Sequence, residues 1–386
     1  MTMDIAKPLD RRALIRTGLF ATGSLLIPRM AFAAAPTDKR FVFIIQRGAA
    51  DGLHMLPPLG DPGYAALRGQ WTDGLAGAAK IDGLFSLHPA MTRTAQLFAQ
   101  KQAIGVHAVA SAYRDRSHFD GQNILETGGL QAYAERSGWM NRLVAALPAG
   151  DSKALAVAAE VPMALRGPQP VSSYAPSRLP NANDDLLARV SQLYAGDPQL
   201  HQLWDSALST RAMAGVTDAD KGQGGADMGR IAASLMRPDN GARLVMIETG
   251  GWDTHSGQVG RLAAQLRNLD TLIGTLADGL GPAWGQTIVL VATEFGRTAA
   301  INGTNGTDHG TASAALLLGG GLQGGRVAGD WPGLSQSALY EGRDLKPTMA
   351  VESLVAGALA GHFGLDAEKL VRTLYPAQAG LKPFIV

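Results

Sequence analysis

The chain has 386 residues, 48 of them glycine, and no cysteine. Glycine is therefore about one residue in eight, against a usual frequency of about 7%. The formal net charge is +1, from 34 Lys plus Arg against 33 Asp plus Glu. These sums exclude a disulfide scaffold, a cysteine zinc site, a thiol nucleophile and an iron–sulfur cluster. Near-neutral charge speaks against a nucleic-acid partner, and 46% hydrophobic residues against a disordered chain.

The first segment reads as an address. Arg11-Arg12 precedes a short apolar stretch from Gly18 to Ile27, Pro28 ends it, and Ala31-Phe32-Ala33 offers a cleavage site. This resembles a twin-arginine export signal over residues 1–33. It implies the twin-arginine translocation machinery as a partner and a periplasmic or secreted location. No later segment approaches the roughly 20 apolar residues that a membrane span needs.

Residues 34–386 read as one α/β domain. Strands are expected at Phe41–Ile45, Ala103–Val109, Leu155–Ala158, Leu244–Ile247, Thr287–Ala292 and Ala314–Leu318. Their apolar runs are continuous rather than alternating, which predicts a central, mostly parallel sheet sandwiched by helices. Helices are expected over 89–101, over 119–126, over 257–280 and over 347–361, the last with Pro347 in its first turn. In the third of these, Val259, Leu262, Leu266, Leu269, Leu272, Ile273, Leu276 and Leu280 form one helical stripe. Residues 168–240 read as a helical insertion entered through a proline-rich link, with Asp197-Pro198 as a helix start.

Polar chemistry collects after the strands, where open α/β sheets bind ligands. Asp51 follows the first strand and Arg114-Asp115-Arg116-Ser117-His118 the second. Asp253-Thr254-His255 follows the fourth, Glu294-Phe295-Gly296-Arg297 the fifth, and then come Asp308-His309. Without cysteine, a zinc, manganese, magnesium or calcium ion would have to be held by such oxygen and imidazole groups. The expected metal ligands are Asp51, Asp253, His255, Glu294, Asp308 and His309. Each also has a plain structural reading, as a turn residue or a surface ion pair. Ser117 has two open roles, an N-cap or a metal-activated nucleophile. Arg114 and Arg116 beside it could grip the oxygens of an anionic substrate. His118, Arg297 and His88 are expected to support these groups, with helix capping as the alternative for His88.

Taken together, these motifs resemble the exported bacterial family known as domain of unknown function 1501. The carriers are Arg47-Gly48-Ala49-Ala50-Asp51-Gly52, Leu87-His88-Pro89, Arg116-Ser117-His118-Phe119-Asp120, Gly250-Gly251-Trp252-Asp253-Thr254-His255, Thr293-Glu294-Phe295-Gly296-Arg297-Thr298 and Asp308-His309-Gly310. That family is similar in architecture to the alkaline phosphatase and sulfatase superfamily. The resemblance implies that Asp51 is a metal ligand after the first strand and Ser117 the nucleophile. It implies that Asp253 and His255 form a ligand pair, that Glu294 stands at the Asp of an Asp-His pair, and that His309 is the last histidine ligand. Phe295 stands where the superfamily has a histidine, so the second metal of the superfamily lacks a ligand here.

The remaining motifs carry less. Gly319-Gly320-Gly321 lacks the Lys-Ser/Thr of a phosphate loop and reads as a turn. His54 reads as a residue of the first loop, either approaching the site or a plain polar histidine, His107 as a core histidine, and His201 and His362 as surface or packing residues. The expected function is metal-dependent hydrolysis of phosphate or sulfate esters, or of a related anionic small molecule or polymer. The rival is a non-catalytic, metal-stabilised binding protein on the same scaffold.

Overall fold

Every strand expected from the sequence is present in the computed structural model, which describes residues 38–148, 153–175, 184–214, 224–237, 241–378 and 380–384. The arginine pair, the cleavage site and part of the 168–240 segment lie outside these residues. The described residues all belong to one unit, Ala34–Val386. The main strands are β1 (Arg40–Gln46), β4 (Ala103–Ala110), β5 (Ala154–Val157), β7 (Leu244–Thr249), β8 (Thr287–Thr293) and β9 (Ser313–Leu318). Short strands complete the set: β2 (Ala79–Lys80), β3 (Ser86–Leu87), β6 (Ser172–Ser173), β10 (Arg326–Ala328) and β11 (Met349–Ala350). Strands β2 and β3 pair in a separate antiparallel ribbon.

The central sheet has the order β10-β4-β9-β8-β1-β7-β5-β6, with β11 also on β4. All its pairings are parallel except those of β9, which runs antiparallel to both β4 and β8. The reason lies in the connection. No helix intervenes between Thr293 and Ser313, and a parallel return would need a crossover of that kind. Loop 294–312 therefore stays at the edge where the parallel strands end, and it carries Arg297, Asp308 and His309.

The pleat decides what each face packs against. Val42, Ile44, Val245, Ile247, Val289 and Val291 join a core with the stripe of Gln258–Leu280 and with the Gly225–Met236 helix. Phe41 and Phe43 point the other way, onto Trp139 of the Trp139–Ala146 helix, with ring centroids 6.0 and 5.3 Å apart. Both faces of the sheet are thus covered, which is why its strands read as unbroken apolar runs.

The helices follow the sequence with local corrections. The expected 89–101 helix spans Thr92–Ala99, and its N-terminal amides at Arg93 and Thr94 are capped from outside by Asp270. The 347–361 helix starts later, at Val351. Met349 and Ala350 pair with β4 first, so Pro347 precedes the helix rather than opening it. Asp197 caps Pro198–Ala214 by accepting from the amides of Gln199 and Leu200. Among the described residues, no helix is long and apolar enough to cross a membrane.

Glu352 stands out on the Val351–Phe363 helix. It is 2% exposed and neither carboxyl oxygen has a hydrogen-bond partner. The Gln378 amide beside it donates to the Gly128 carbonyl and only weakly offsets the burial of Glu352. Burial raises the Glu352 pKa above the usual carboxylate value. The folded state therefore holds this proton more tightly than the unfolded chain. Stability from this group is full below the unfolded pKa and is lost as pH rises through the folded one. Glu352→Gln is expected to stabilise the protein by about 1–3 kcal/mol at pH 8 and little at pH 4. Thermal midpoints at the two pH values measure this. A gain equal at both would show that ionisation is not the cause.

Candidate metal centre

Three imidazoles converge on one carboxylate where the parallel strands end. The ligand atoms of His118, Asp253 and His309 all lie within 4.8 Å of one another, so that they could hold a metal ion. His309 Nε2 is 3.3 Å from Asp253 Oδ1, and His118 Nε2 is 3.5 Å from Asp253 Oδ2. His255 Nε2 adjoins them, 3.0 Å from Asp253 Oδ1 and 3.0 Å from His309 Nε2. Four ligands at the zinc–nitrogen distance of about 2.0–2.1 Å in a tetrahedron stand roughly 3.3–3.4 Å apart. The spacings from His309 and His118 to Asp253, 3.3 and 3.5 Å, are close to that value, while His255 adjoins this three-residue group.

The outer ring nitrogens each face an acceptor. His118 Nδ1 lies 2.9 Å from Glu294 Oε1, and His309 Nδ1 lies 2.9 Å from the Arg116 carbonyl. His255 Nδ1 lies 3.2 Å from Asp308 Oδ1. Each of these partners only accepts, which places a hydrogen on each Nδ1 and, in the neutral ring, leaves the lone pair on Nε2. Metal-bound histidines are held in this way. His118 Nε2 is buried and has no hydrogen-bond partner. Lone pairs on His255 and His309 3.0 Å apart repel unless a proton or a cation lies between them.

The charges around the centre agree with this geometry. Burial would raise the Asp253 pKa, but Arg297 at 2.7 Å and the neighbouring His255 and His118 bring it below its ordinary value. Arg297 is itself buried and fixed by Thr307. Burial would also raise Glu294, yet it accepts from His118, from Gln122 Nε2 at 3.0 Å and from the Gly48 amide at 2.8 Å, and its pKa is lowered. The Glu294 hydrogen bond in turn raises His118. Burial and the adjacent His118 lower His309. The amide of Asn302, followed by His255, keeps Asp308 low.

The glycines explain how the loops approach so closely. Gly48 has φ +118°, and a Cβ there would lie 2.7 Å from the Asp253 amide nitrogen. At Gly306 a Cβ would lie 2.2 Å from the His255 carbonyl oxygen. Larger residues at either point would push the Asp253–His255 loop away from His118 and His309.

The structure sorts the expected residues. It brings Asp253, His255 and His309 together and adds His118, expected only in a supporting role. Glu294 and Asp308 reach the centre through His118 and His255 rather than facing it. Asp51 is removed from it. It is 1% exposed, and Oδ2 takes Arg68 Nη1 at 2.6 Å and the Gln258 amide. Arg68 also donates to the carbonyls of Ala299 and Thr298, at 2.8 and 2.7 Å. Phe295 packs its ring on His118, with centroids 5.2 Å apart, and closes that side with hydrocarbon.

Arg114 and Arg116 are each engaged with the protein through one guanidinium nitrogen. Arg114 Nη1 donates to the Ser111 and Tyr113 carbonyls, and Arg116 Nη2 pairs with Asp344 and Glu341. Ser117 is the N-cap residue of His118–Thr127, but its side chain makes no capping hydrogen bond. Its backbone amide donates to the Tyr113 hydroxyl. His88 Nδ1 accepts from the Ala90 amide at 3.0 Å, a turn-capping contact, and burial lowers its pKa to about 4. His107 is a core histidine on the Leu56 carbonyl, and His54 contacts the Tyr64 hydroxyl. The sequence did not single out Arg68, Gln258 or Asp344. Each has an ordinary polar setting in the sequence, and nothing there marks it as buried.

The model for proteins described as "Protein of unknown function (DUF1501)" matches residues 38–374. The chain belongs to this family. No curated protein matches it. Among solved structures it is similar to a protein in the alkaline phosphatase superfamily from Vibrio parahaemolyticus, at 12% identity and TM-score 0.42, covering 93% of this chain and 76% of that one. It is similar to the phosphonate monoester hydrolase of Agrobacterium radiobacter, at 11% identity and TM-score 0.36, covering 89% and 79%. It is also similar to the C-terminal periplasmic domain of EcEptC from Escherichia coli, in complex with zinc, at 8% identity and TM-score 0.38, covering 74% of each chain.

Proposed function

We propose that this member of the family is an exported, metal-dependent hydrolase of phosphate or sulfate esters, or of a related anionic substrate. The observation that carries the proposal is the convergence of three Nε2 atoms on the Asp253 carboxylate, each ring with an acceptor at Nδ1. His118, Asp253, His309 and His255 would hold one divalent cation. An imidazole-rich set with one carboxylate suits zinc better than calcium or magnesium, which prefer oxygen. A cation there supplies a Lewis acid for the ester oxygen. The Asp253 and His255 side chains are 41% and 45% exposed, so the centre is open to a substrate from solvent.

Ser117 is the residue that would attack. It precedes His118 directly, at the head of a helix whose first N–H groups lack helical acceptors. Those dipoles favour an anionic group. Its hydroxyl is not used as a cap, so both its lone pairs and its hydrogen remain for chemistry. The bond from Ser117 Oγ to phosphorus or sulfur would form as the bond to the leaving alcohol breaks, the serine proton ending on the leaving oxygen, and water would then hydrolyse the serine ester to restore the hydroxyl and release the phosphate or sulfate. The arginine pair Arg11-Arg12 supports export by the twin-arginine route.

The test is elemental analysis of untagged protein, followed by assays with aryl phosphate, phosphonate and sulfate esters. The expected result is about one divalent ion per chain. Ser117→Ala should retain the ion and lose at least about a hundredfold in turnover. Turnover equal to wild type in both Ser117→Ala and His309→Ala would overturn the mechanism. Absence of any stoichiometric ion after zinc reconstitution would overturn the metal centre.

A further inference from the structure

Arg116 has φ +60°, a left-handed conformation that residues other than glycine rarely adopt. Such strain persists only where surrounding contacts hold it. At Arg116 it aims the backbone carbonyl at His309 Nδ1, 2.9 Å away. Without that acceptor nothing in the structure assigns the hydrogen to Nδ1, and Nε2 need not keep its lone pair toward Asp253.

The holding contact is Asp344. Its side chain is fully buried, and Oδ2 accepts from Arg116 Nη2 at 2.9 Å and from the Thr311 hydroxyl at 2.8 Å. Its backbone is anchored separately by paired hydrogen bonds with Tyr340 at 2.9 and 3.0 Å. Arg343 lies 3.3 Å from Oδ1 and also donates to the His309 carbonyl at 2.6 Å. Glu341 is the other partner of Arg116, but its side chain is 59% exposed, so its grip is screened.

We infer that Asp344 is a positioning residue for the metal centre: it holds Arg116 in its strained conformation so that the Arg116 carbonyl fixes the tautomer of His309. The inference rests on the reading of the cluster as a metal centre. Asp344 touches neither ion nor substrate. Its effect passes through Arg116 to His309.

Glycine provides the test, because it adopts φ near +60° without strain. Zinc affinity is measured by competition with a chromophoric chelator. In parallel, histidine nitrogen shifts of the metal-free protein at pH 8 report which ring nitrogen of His309 carries the hydrogen. Asp344→Ala is expected to weaken zinc binding about 10–100-fold, the usual effect of losing a partner that orients a ligand. It should also move the His309 hydrogen away from Nδ1. The double variant Arg116→Gly/Asp344→Ala should restore both, since the carbonyl then needs no anchor. A double variant as weak as Asp344→Ala would overturn the inference, and so would wild-type affinity in Asp344→Ala. Should Asp344→Ala not fold, Arg116→Ala and Arg116→Gly decide: the alanine variant is expected to lose zinc and the glycine variant to keep it, and equal losses would overturn the inference. A wild-type chain that takes up no zinc overturns the metal reading instead. The His309 tautomer in the metal-free variants then still decides the role of Asp344.

Discussion

Asparagine in place of Asp253 is expected to cut zinc affinity by about a hundredfold to a thousandfold while leaving the fold intact. At about 4 Å and an effective dielectric near 20, two unit charges interact by about 4 kcal/mol, or about a thousandfold in affinity, and the double charge of zinc makes that a conservative figure before solvent is counted. The Asp253 side chain is 41% exposed, so solvent trims that figure toward the lower bound. The amide oxygen of asparagine can still accept from Arg297 Nη1, now 2.7 Å from Oδ1. The variant therefore removes the charge without orphaning the buried arginine. Chelator competition gives the affinity and a thermal midpoint gives the stability. Unchanged affinity with unchanged stability would remove Asp253 from the ligand set.

Methionine in place of Arg68 is expected to destabilise the protein by about 3–5 kcal/mol at pH 7, because it leaves the Asp51 charge buried and uncompensated. Wild-type Asp51 lies below its ordinary pKa. Burial pushes it up, and Arg68, His54 and the Gln258 amide outweigh burial. The wild-type pair therefore contributes stability above the unfolded pKa, and that contribution is lost as pH falls through the folded one. In Arg68→Met burial dominates and the sign reverses. The Asp51 pKa rises, and the deficit should shrink as the solution is made acid. Adding Asp51→Asn should recover most of the loss, since replacing both partners of a buried pair is often close to neutral. Denaturant midpoints at pH 4.5 and pH 7 measure both effects. A deficit that does not depend on pH would mean that lost packing, not charge, is responsible.

The strands and the best helix were legible in the sequence because burial on two faces leaves unbroken apolar runs, and burial on one leaves a stripe. Ile44, Val289 and Leu316 lie in strands buried throughout, and Leu262 to Leu280 in a helix with one wet face. The direction of β9 was not legible. An apolar run is the same read either way, and only the absence of a crossover helix before Ser313 reverses it.

The site divides in the same manner. Asp253, His255 and His309 stood out as metal-binding types in glycine-rich loops. His118 looked like a helper because Ser117 beside it drew the chemistry. Glu294 and Asp51 are both carboxylates in loops after strands, Glu294 directly and Asp51 slightly further out. What separates them is the partner that comes from afar: His118 for Glu294, and Arg68 with Gln258 for Asp51.

The sequence by itself determined composition-level chemistry: with no cysteine, any metal must be held by oxygen and imidazole, and 48 glycines make loops that can pack backbone on backbone. Tertiary structure alone decided which nitrogen of each histidine faces inward and which carboxylate is neutralised by an arginine. A tautomer follows from the acceptor opposite Nδ1, and a buried charge from its nearest counter-charge. Glu294, Arg116 and Asp308 are each more than 50 residues from the histidine they orient. Only folding sets those pairs side by side.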